Sequence, residues 1–472
     1  MPNDLVSFNG VDAETGEYLT PPTPLPGLAR ELRAARAGGP HLDELRRRHR
    51  DDEDHLGIMY GRDPQDLGSA GWGLVVAEDT DPAVLTALEP LIELRREQAG
   101  ELYKTLLVRP DEGKDAFLRR YGMGPAPADP RKVPYYLLLV GGPAQIPFSF
   151  QYQLDVSYAV GRVEFDSTEE YARYATAAVA AERPAADDSQ PMHFFAPRNP
   201  GDTPTALSAS RLAQPLAAEL RELAPGRPVT EDVGESATLR RLQHVLEDVA
   251  APVLFTASHG VGAGGDRQRE IQGALLCQDW PGPLAARREV TEDQYLTGAH
   301  IRSDRPVRPR VVFSFACYGA GTPSISDFSD GPAGPRPTLA AESFVARLPQ
   351  RLLANPAGGA LAFVGHVDRA WSCSFLWKGI DPQVTSFVST MLALLGGCRL
   401  GWAMESLNSR YAEVATVLTT CIDEYHRYGK AVDDAELVGL WTAHNDARSY
   451  VVFGDPAVRA VAAPLPGQPA GS

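Results

Sequence analysis

Two apolar segments of the chain end on side chains able to do covalent chemistry. One reads Val253-Leu254-Phe255-Thr256-Ala257-Ser258-His259-Gly260, the other Val311-Val312-Phe313-Ser314-Phe315-Ala316-Cys317-Tyr318-Gly319. Each run suits a buried strand. Each also carries its reactive group just past the carboxyl end, where ligands sit in parallel α/β sheets. If the two strands are neighbours, His259 and Cys317 share one rim. A thiol of pKa ~8.5 is mostly protonated at neutral pH. An imidazole beside it stabilises the thiolate and later hands a proton to a leaving amine. The oxyanion formed on the way needs donors. The N–H groups of Gly260 and Cys317 are the candidates, and Gly260 also lets a substrate approach the main chain.

A strand-end cysteine is ordinarily core. The pair is singled out by its two matching contexts, each followed by glycine. Cys277, Cys373, Cys398 and Cys421 lack that setting and read as structural. Gly260-Val261-Gly262-Ala263-Gly264-Gly265 also matches G-x-G-x-x-G, the dinucleotide fingerprint. That site needs a helix opening at the pyrophosphate. The residues that follow, Asp266 to Glu270 and then Gly273-Ala274-Leu275-Leu276, read instead as loop and strand.

The elements that must hold the pair alternate between strand and helix. Strands are expected at 73–77, 135–140, 160–165, 192–196, 253–257, 311–315 and 360–364. Helices are expected at 83–107, 169–182, 208–223 (with Pro215 a kink) and 237–249, where Leu239, Leu242, Leu246 and Val249 share a face. This alternation implies a largely parallel sheet covered on both faces. Residues 1–60 read as an N-terminal extension with a helix at 28–50 that could regulate or dock. Residues 61–187 form an α/β subdomain without the pair, 188–462 the catalytic subdomain, and 463–472 a disordered tail. Residues 182–188 read as a linker, and 319–337, rich in Gly, Pro, Ser and Asp, as a mobile loop.

The 472 residues are 43% hydrophobic and 22% charged, the balance of a soluble globular chain. With 45 basic against 61 acidic side chains, the net charge of −16 disfavours nucleic acid and anionic lipid as partners. The best basic run, Arg46-Arg47-Arg48-His49-Arg50, is followed at once by Asp51-Asp52-Glu53-Asp54. No apolar run reaches the ~18–20 residues of a membrane helix, and Met1-Pro2-Asn3-Asp4 opens no secretion signal. Five cysteines without a Cys-x-x-Cys pair argue against a disulfide framework or a zinc ribbon and fit a reducing cytoplasm.

The hydrophobic blocks ending in His-Gly and Ala-Cys resemble the caspase–gingipain clan of cysteine peptidases. Further motifs are similar to the gingipain-like and CHAT branch: Leu137-Leu138-Leu139-Val140-Gly141 with Ile146-Pro147, Val160-Gly161-Arg162-Val163, and Tyr450-Val451-Val452-Phe453-Gly454-Asp455-Pro456. The likeness spans roughly residues 130–460, in matching order. It implies a caspase/gingipain-like three-layer α/β sandwich in two subdomains. His259 and Cys317 fall on the dyad, and Gly260 falls where an oxyanion donor belongs. It implies an intracellular cysteine endopeptidase that needs no cofactor or catalytic metal, though some relatives bind calcium structurally. Protein or peptide would be the substrate, with control by a partner or an activating cleavage, and the setting could be bacterial defence or programmed death.

The resemblance also implies a substrate pocket after the next strand. Trp371 looks like its wall, and Asp368, Arg369 and Phe375 are the other candidates. Arg369 could pair with an acidic P1 side chain and Asp368 with a basic one. The acid that Arg-directed gingipains carry at a helix start before the histidine is missing from the comparable Ser208-Ala209-Ser210-Arg211. Asp279 reads as a solvated loop acid. Two other classes remain in view: a catalytically silent scaffold of the same fold, and a nucleotide-binding domain.

Overall fold

The computed structural model describes residues 5–6, 10–19, 23–26, 57–182, 190–283, 289–326, 337–370, 372–376 and 382–462. The expected helix at 28–50, most of the linker, residues 327–336 of the loop, Trp371 and the tail lie outside these residues.

The apolar runs form one ten-stranded sheet. We number β1 Val11–Asp12, β2 Trp72–Ala77, β3 Tyr103–Val108, β4 Tyr136–Val140, β5 Ala159–Val163, β6 Met192–Ala196, β7 Val229–Val233 and β8 Val253–Ala257. There follow β9 Gly260–Gly262, β10 Ala274–Leu276, β11 Tyr295–Leu296, β12 Val311–Phe315, β13 Gly321–Thr322, β14 Phe344–Val345, β15 Ala362–His366 and β16 Tyr450–Gly454. The large sheet has the order β3-β2-β4-β5-β16-β15-β12-β8-β6-β7. All its neighbours run parallel except β15 and β16. The sheet is thus two five-stranded parallel halves of opposite direction. The last strand of the chain joins them, pairing Val452 with Gly161 on one side and Val364 on the other.

Helices cover both faces, giving the mixed α/β three-layer arrangement expected. They include α1 Pro82–Ala99, α2 Thr168–Ala181, α3 Thr203–Ser208, α4 Gln214–Leu223, α5 Leu239–Asp248, α6 Arg347–Leu353, α7 Thr385–Leu395, α8 Glu405–Tyr428 and α9 Asp434–Arg448. Side chains of a strand alternate between faces. Phe195, Leu254, Val312 and Phe363 therefore join Leu242 and Leu246 of α5 and Leu348 and Leu352 of α6. Their neighbours Phe194, Phe255, Phe313 and Val364 join Leu216 and Leu220 of α4 and Phe387 and Met391 of α7. Phe255 and Phe313 stack at 5.3 Å. Each buried side chain of this size contributes about 1.5–3 kcal/mol, so β8 and β12 are clamped side by side from both faces. The two hydroxyls inside this pair satisfy each other: Thr256 Oγ1 donates to Ser314 Oγ at 3.1 Å.

Two expectations change and a third gains detail. The helix expected over 83–107 stops at Ala99, because Gly100 takes a left-handed φ of 55°, and Tyr103–Val108 then pairs as strand β3. The stretch 208–223 is helical throughout, as expected, with a change of helix type just before Pro215. A five-residue π-turn, Ala209–Ala213, places Pro215 in the first turn of α4, where its missing N–H costs nothing. Residues 319–326 are not loose. β13 pairs with β14, and Ala320 is 1% exposed. Among the described residues, no helix is long and apolar enough to cross a membrane.

Candidate active site

β8 and β12 are adjacent and parallel, with Ala257 opposite Phe315. Ser258 N–H prolongs the ladder to the Phe315 carbonyl at 3.1 Å. Two residues past the last pair stand His259 and Cys317, both on the same edge of the sheet. Beyond His259 the chain enters a second, four-stranded sheet of order β11-β10-β9-β1, and Leu276 N–H holds the His259 carbonyl at 3.0 Å. The turn between the two sheets is so tight that a Cβ on Gly260 would lie 1.8 Å from the Cys317 carbonyl oxygen. Only glycine fits there. The fingerprint-like Gly260–Gly265 run is therefore strand β9 and its loop. The helix that follows has only four residues, Gln268–Ile271, before β10.

His259 is fully buried, and both its ring nitrogens are engaged. Nε2 lies 3.0 Å from Asp202 Oδ2, and Nδ1 accepts the Gly10 backbone N–H at 2.7 Å. These two partners assign the tautomer: Nε2–H donates to the carboxylate, and Nδ1 carries no proton. Trp280 stands edge-on to the imidazole at 5.9 Å, and Tyr18 is tilted against it at 5.9 Å. Asp202 was not singled out in the sequence. It is the N-cap of α3 and accepts from Thr205 N–H at 3.0 Å, from the Thr205 hydroxyl, and from the Tyr18 hydroxyl at 2.6 Å. Burial works against its charge, but His259, Thr205 and Tyr18 outweigh that and lower its pKa to about 2. Asp202-Thr203-Pro204 does carry the cap-then-proline signature of a helix start. The signature predicts a cap, and says nothing of the imidazole 57 residues later.

Cys317 is likewise fully buried. Its sulfur accepts the Ala370 N–H at 3.2 Å. Burial pushes the thiol up to about 12, while the Ala370 amide and Arg369 pull it down. The backbone beside it is strained. Tyr318 has φ 57° and Asp368 φ 77°, and the two are joined by a 2.7 Å bond from Tyr318 N–H to the Asp368 carbonyl. Non-glycine residues held in this region mark functional turns more often than ordinary ones.

The described pocket candidates follow β15, where Asp368 and Arg369 act on the thiol electrostatically. Asp368, 2% exposed, accepts from Ser326 Oγ at 3.1 Å. Arg369, 6% exposed, is hydrogen-bonded to Tyr318. Phe375 is fully buried with its ring 5.6 Å from Phe315. Ser208–Arg211 carries no acid; Asp202, a few residues earlier, is committed to His259. Asp279 caps α5, accepting from Leu239 N–H at 2.7 Å.

One part of the N-terminal extension belongs to this site. Residues 10–19 form a hairpin: Val11 bridges Tyr18 and Leu19 N–H reaches the Gly10 carbonyl at 3.0 Å. Its first arm is β1, which pairs with β9. Nothing in the sequence pointed to these residues, which precede His259 by about 250 positions.

No family model matches the chain, and no curated protein matches it in sequence. Solved structures similar to it include the Arg-specific cysteine proteinase gingipain R, at 11% identity and a TM-score of 0.48, covering 86% of this chain and 80% of that one. A complex of the pro- and mature domains of the gingipain from Porphyromonas gingivalis is 12% identical with a TM-score of 0.44, covering 83% and 80%. The Saccharomyces cerevisiae separase–securin complex is 10% identical with a TM-score of 0.31, covering 68% of this chain and 15% of that one. These likenesses are distant, and the function proposed next rests on the site.

Proposed function

We propose that this protein is a cysteine endopeptidase in which Cys317 is the nucleophile and His259 the general acid and base. The carrying observation is the pairing of β8 with β12, which brings a thiol and a carboxylate-anchored imidazole to one sheet edge with a backbone N–H lodged at Nδ1. In the reaction the thiol passes its proton to His259 Nδ1 and the sulfur attacks the peptide carbonyl. The C–N bond breaks as Nδ1 returns the proton to the leaving amine, and water then hydrolyses the thioester. The N–H groups of Gly260 and Cys317 would hold the oxyanion. Asp202 keeps the ring in the tautomer whose bare nitrogen is Nδ1. Asp368, Arg369, Trp371 and Phe375 would shape the P1 pocket, and an acidic or a basic preference separates the roles of Arg369 and Asp368. The CHAT-like motifs suggest a cytoplasmic setting in bacterial defence or programmed death.

Long incubation of a fluorogenic peptide library tests this, because a small open population then suffices. Wild type should cleave, and Cys317→Ala and His259→Ala should lose about 10³-fold or more. Equal rates in all three would contradict the proposal. Burial of the thiol favours one other reading, a silent scaffold of the same fold. In that case no variant that uncovers Cys317 would gain turnover.

A further inference from the structure

The reactive edge is already occupied by the chain's own N-terminal hairpin. β1 runs parallel to β9 with Val11 opposite Val261 and Asp12 opposite Gly262, and without it the outer edge of β9 would be unpaired. Ala13 N–H extends the ladder to the Gly262 carbonyl at 2.8 Å, and Val290 N–H reaches the Ala13 carbonyl at 2.9 Å. An open strand edge is a ready template for an extended peptide, with the main chain supplying the bonds. The first residue of the hairpin lies between the two reactive groups. Gly10 N–H is bonded to His259 Nδ1 at 2.7 Å, and a Cβ on Gly10 would sit 3.3 Å from Cys317 Sγ and 2.8 Å from Leu19 Cδ1. The second arm reaches the residue behind the histidine, through the Tyr18 hydroxyl on Asp202 Oδ1.

We infer that the edge of β9 is the peptide-binding strand of the enzyme and that residues 10–19 fill it in cis as a substrate mimic, Gly10 nitrogen standing where a scissile peptide's leaving nitrogen would stand. The chain as folded is then a blocked enzyme. The inference builds on the peptidase reading of His259 and Cys317. Gly10 is the residue the block depends on: its φ of 118° is denied to other residues, and a side chain there would strike both Leu19 and the sulfur. The hairpin can leave without disturbing the ten-stranded sheet, because it pairs only with the small one. A peptide taking its place would lie parallel to β9 and present a small residue on the leaving side of the cut.

Alkylation of Cys317 by iodoacetamide, followed by mass spectrometry, reads the block without requiring turnover. Full-length Gly10→Val should expel the hairpin and label Cys317 at least roughly tenfold faster than wild type. Asp12→Ala is a milder second variant that leaves the reactive groups untouched. It removes the Asp12 Oδ1 bonds to the Glu14 and Thr15 N–H groups at 3.0 and 2.9 Å, and should give a smaller gain in the same direction. A synthetic peptide of residues 9–19 added to Gly10→Val should restore slow labelling. Labelling of Cys317 at the wild-type rate in both variants, with their circular dichroism unchanged, would overturn the inference. So would protection that the peptide fails to restore. Fast labelling without any peptide hydrolysis would leave the block standing and defeat the peptidase reading instead.

Discussion

Replacing Asp202 by asparagine tests the carboxylate behind the imidazole. The change is nearly isosteric, so packing around α3 stays the same. The oxygen that meets His259 Nε2–H, Oδ2, also accepts from Thr205, so asparagine keeps its carbonyl oxygen there and turns its NH2 group to the Tyr18 hydroxyl. The ring then keeps its Nε2 proton and loses only the negative charge beside it, which an imidazolium formed on taking the thiol proton would need. Asp202 titrates near 2 in place of its ordinary 3.8, and at about 1.4 kcal/mol per unit that is worth about 2 kcal/mol of stability. Hydrogen bonds to a charged group, at about 1.5–3 kcal/mol each, give the same scale. A depressed carboxylate stabilises the fold above its unfolded pKa of 3.8 and loses that contribution as pH falls from about 4 towards 2. Urea unfolding at pH 7 should therefore show Asp202→Asn less stable by about 2 kcal/mol. The two proteins should converge as the pH is lowered through that window. In a Gly10→Val background the same change should cut peptide turnover about 30-fold, the rate equivalent of about 2 kcal/mol of lost charge stabilisation of the imidazolium. A variant with wild-type stability across this pH range and unchanged turnover would refute the reasoning.

Gly260→Ala should destabilise the site region by more than about 2 kcal/mol, read by thermal unfolding, because its Cβ has no space 1.8 Å from the Cys317 carbonyl oxygen. Asp455→Ala should cost about 3–5 kcal/mol in denaturant unfolding. It deprives the buried Arg95 Nε of its 2.7 Å partner and Trp72 Nε1 of a 3.0 Å acceptor. In the closed chain Cys398 and Cys421, both half-buried, should alkylate before Cys317 and Cys277 at pH 8. The raised thiol of Cys317 favours the fold below pH ~9 and that gain is lost as pH climbs towards 12, so wild type should lose stability across that range more steeply than Cys317→Ala. In the unblocked enzyme Arg369→Ala should suppress cleavage after acidic residues, or Asp368→Ala cleavage after basic ones, and a cleavage-site profile unaltered by both would remove them from the pocket.

The strands that carry the site were legible because burial on both faces leaves an unbroken apolar run: Val253–Ala257 and Val311–Phe315 have the expected ends. Edge strands were harder. Val229–Val233 reads Val-Thr-Glu-Asp-Val, and its partly exposed position at the sheet's end permits the charges that hide it. Tyr103–Val108 was absorbed into a helix because its leucines continue helical spacing past Gly100. At the candidate site, the placement of His259, Gly260 and Cys317 on one sheet edge was legible from their strand contexts. That of Asp202 and Gly10 was not, since what matters about each is a single contact made across 57 and 249 positions of chain. The Phe453-Gly454-Asp455-Pro456 motif was visible, yet its use is structural: Asp455 ties Arg95, Trp72 and Tyr174 to the last strand.

Peptide hydrolysis by Gly10→Val, measured beside Gly10→Val/Cys317→Ala on one fluorogenic library, bears most directly on a thiol and an imidazole working together at this edge. Turnover in the first and none in the second is the expected result. Hydrolysis that survives loss of the sulfur, or an unblocked thiol that alkylates readily yet cuts nothing, would contradict it.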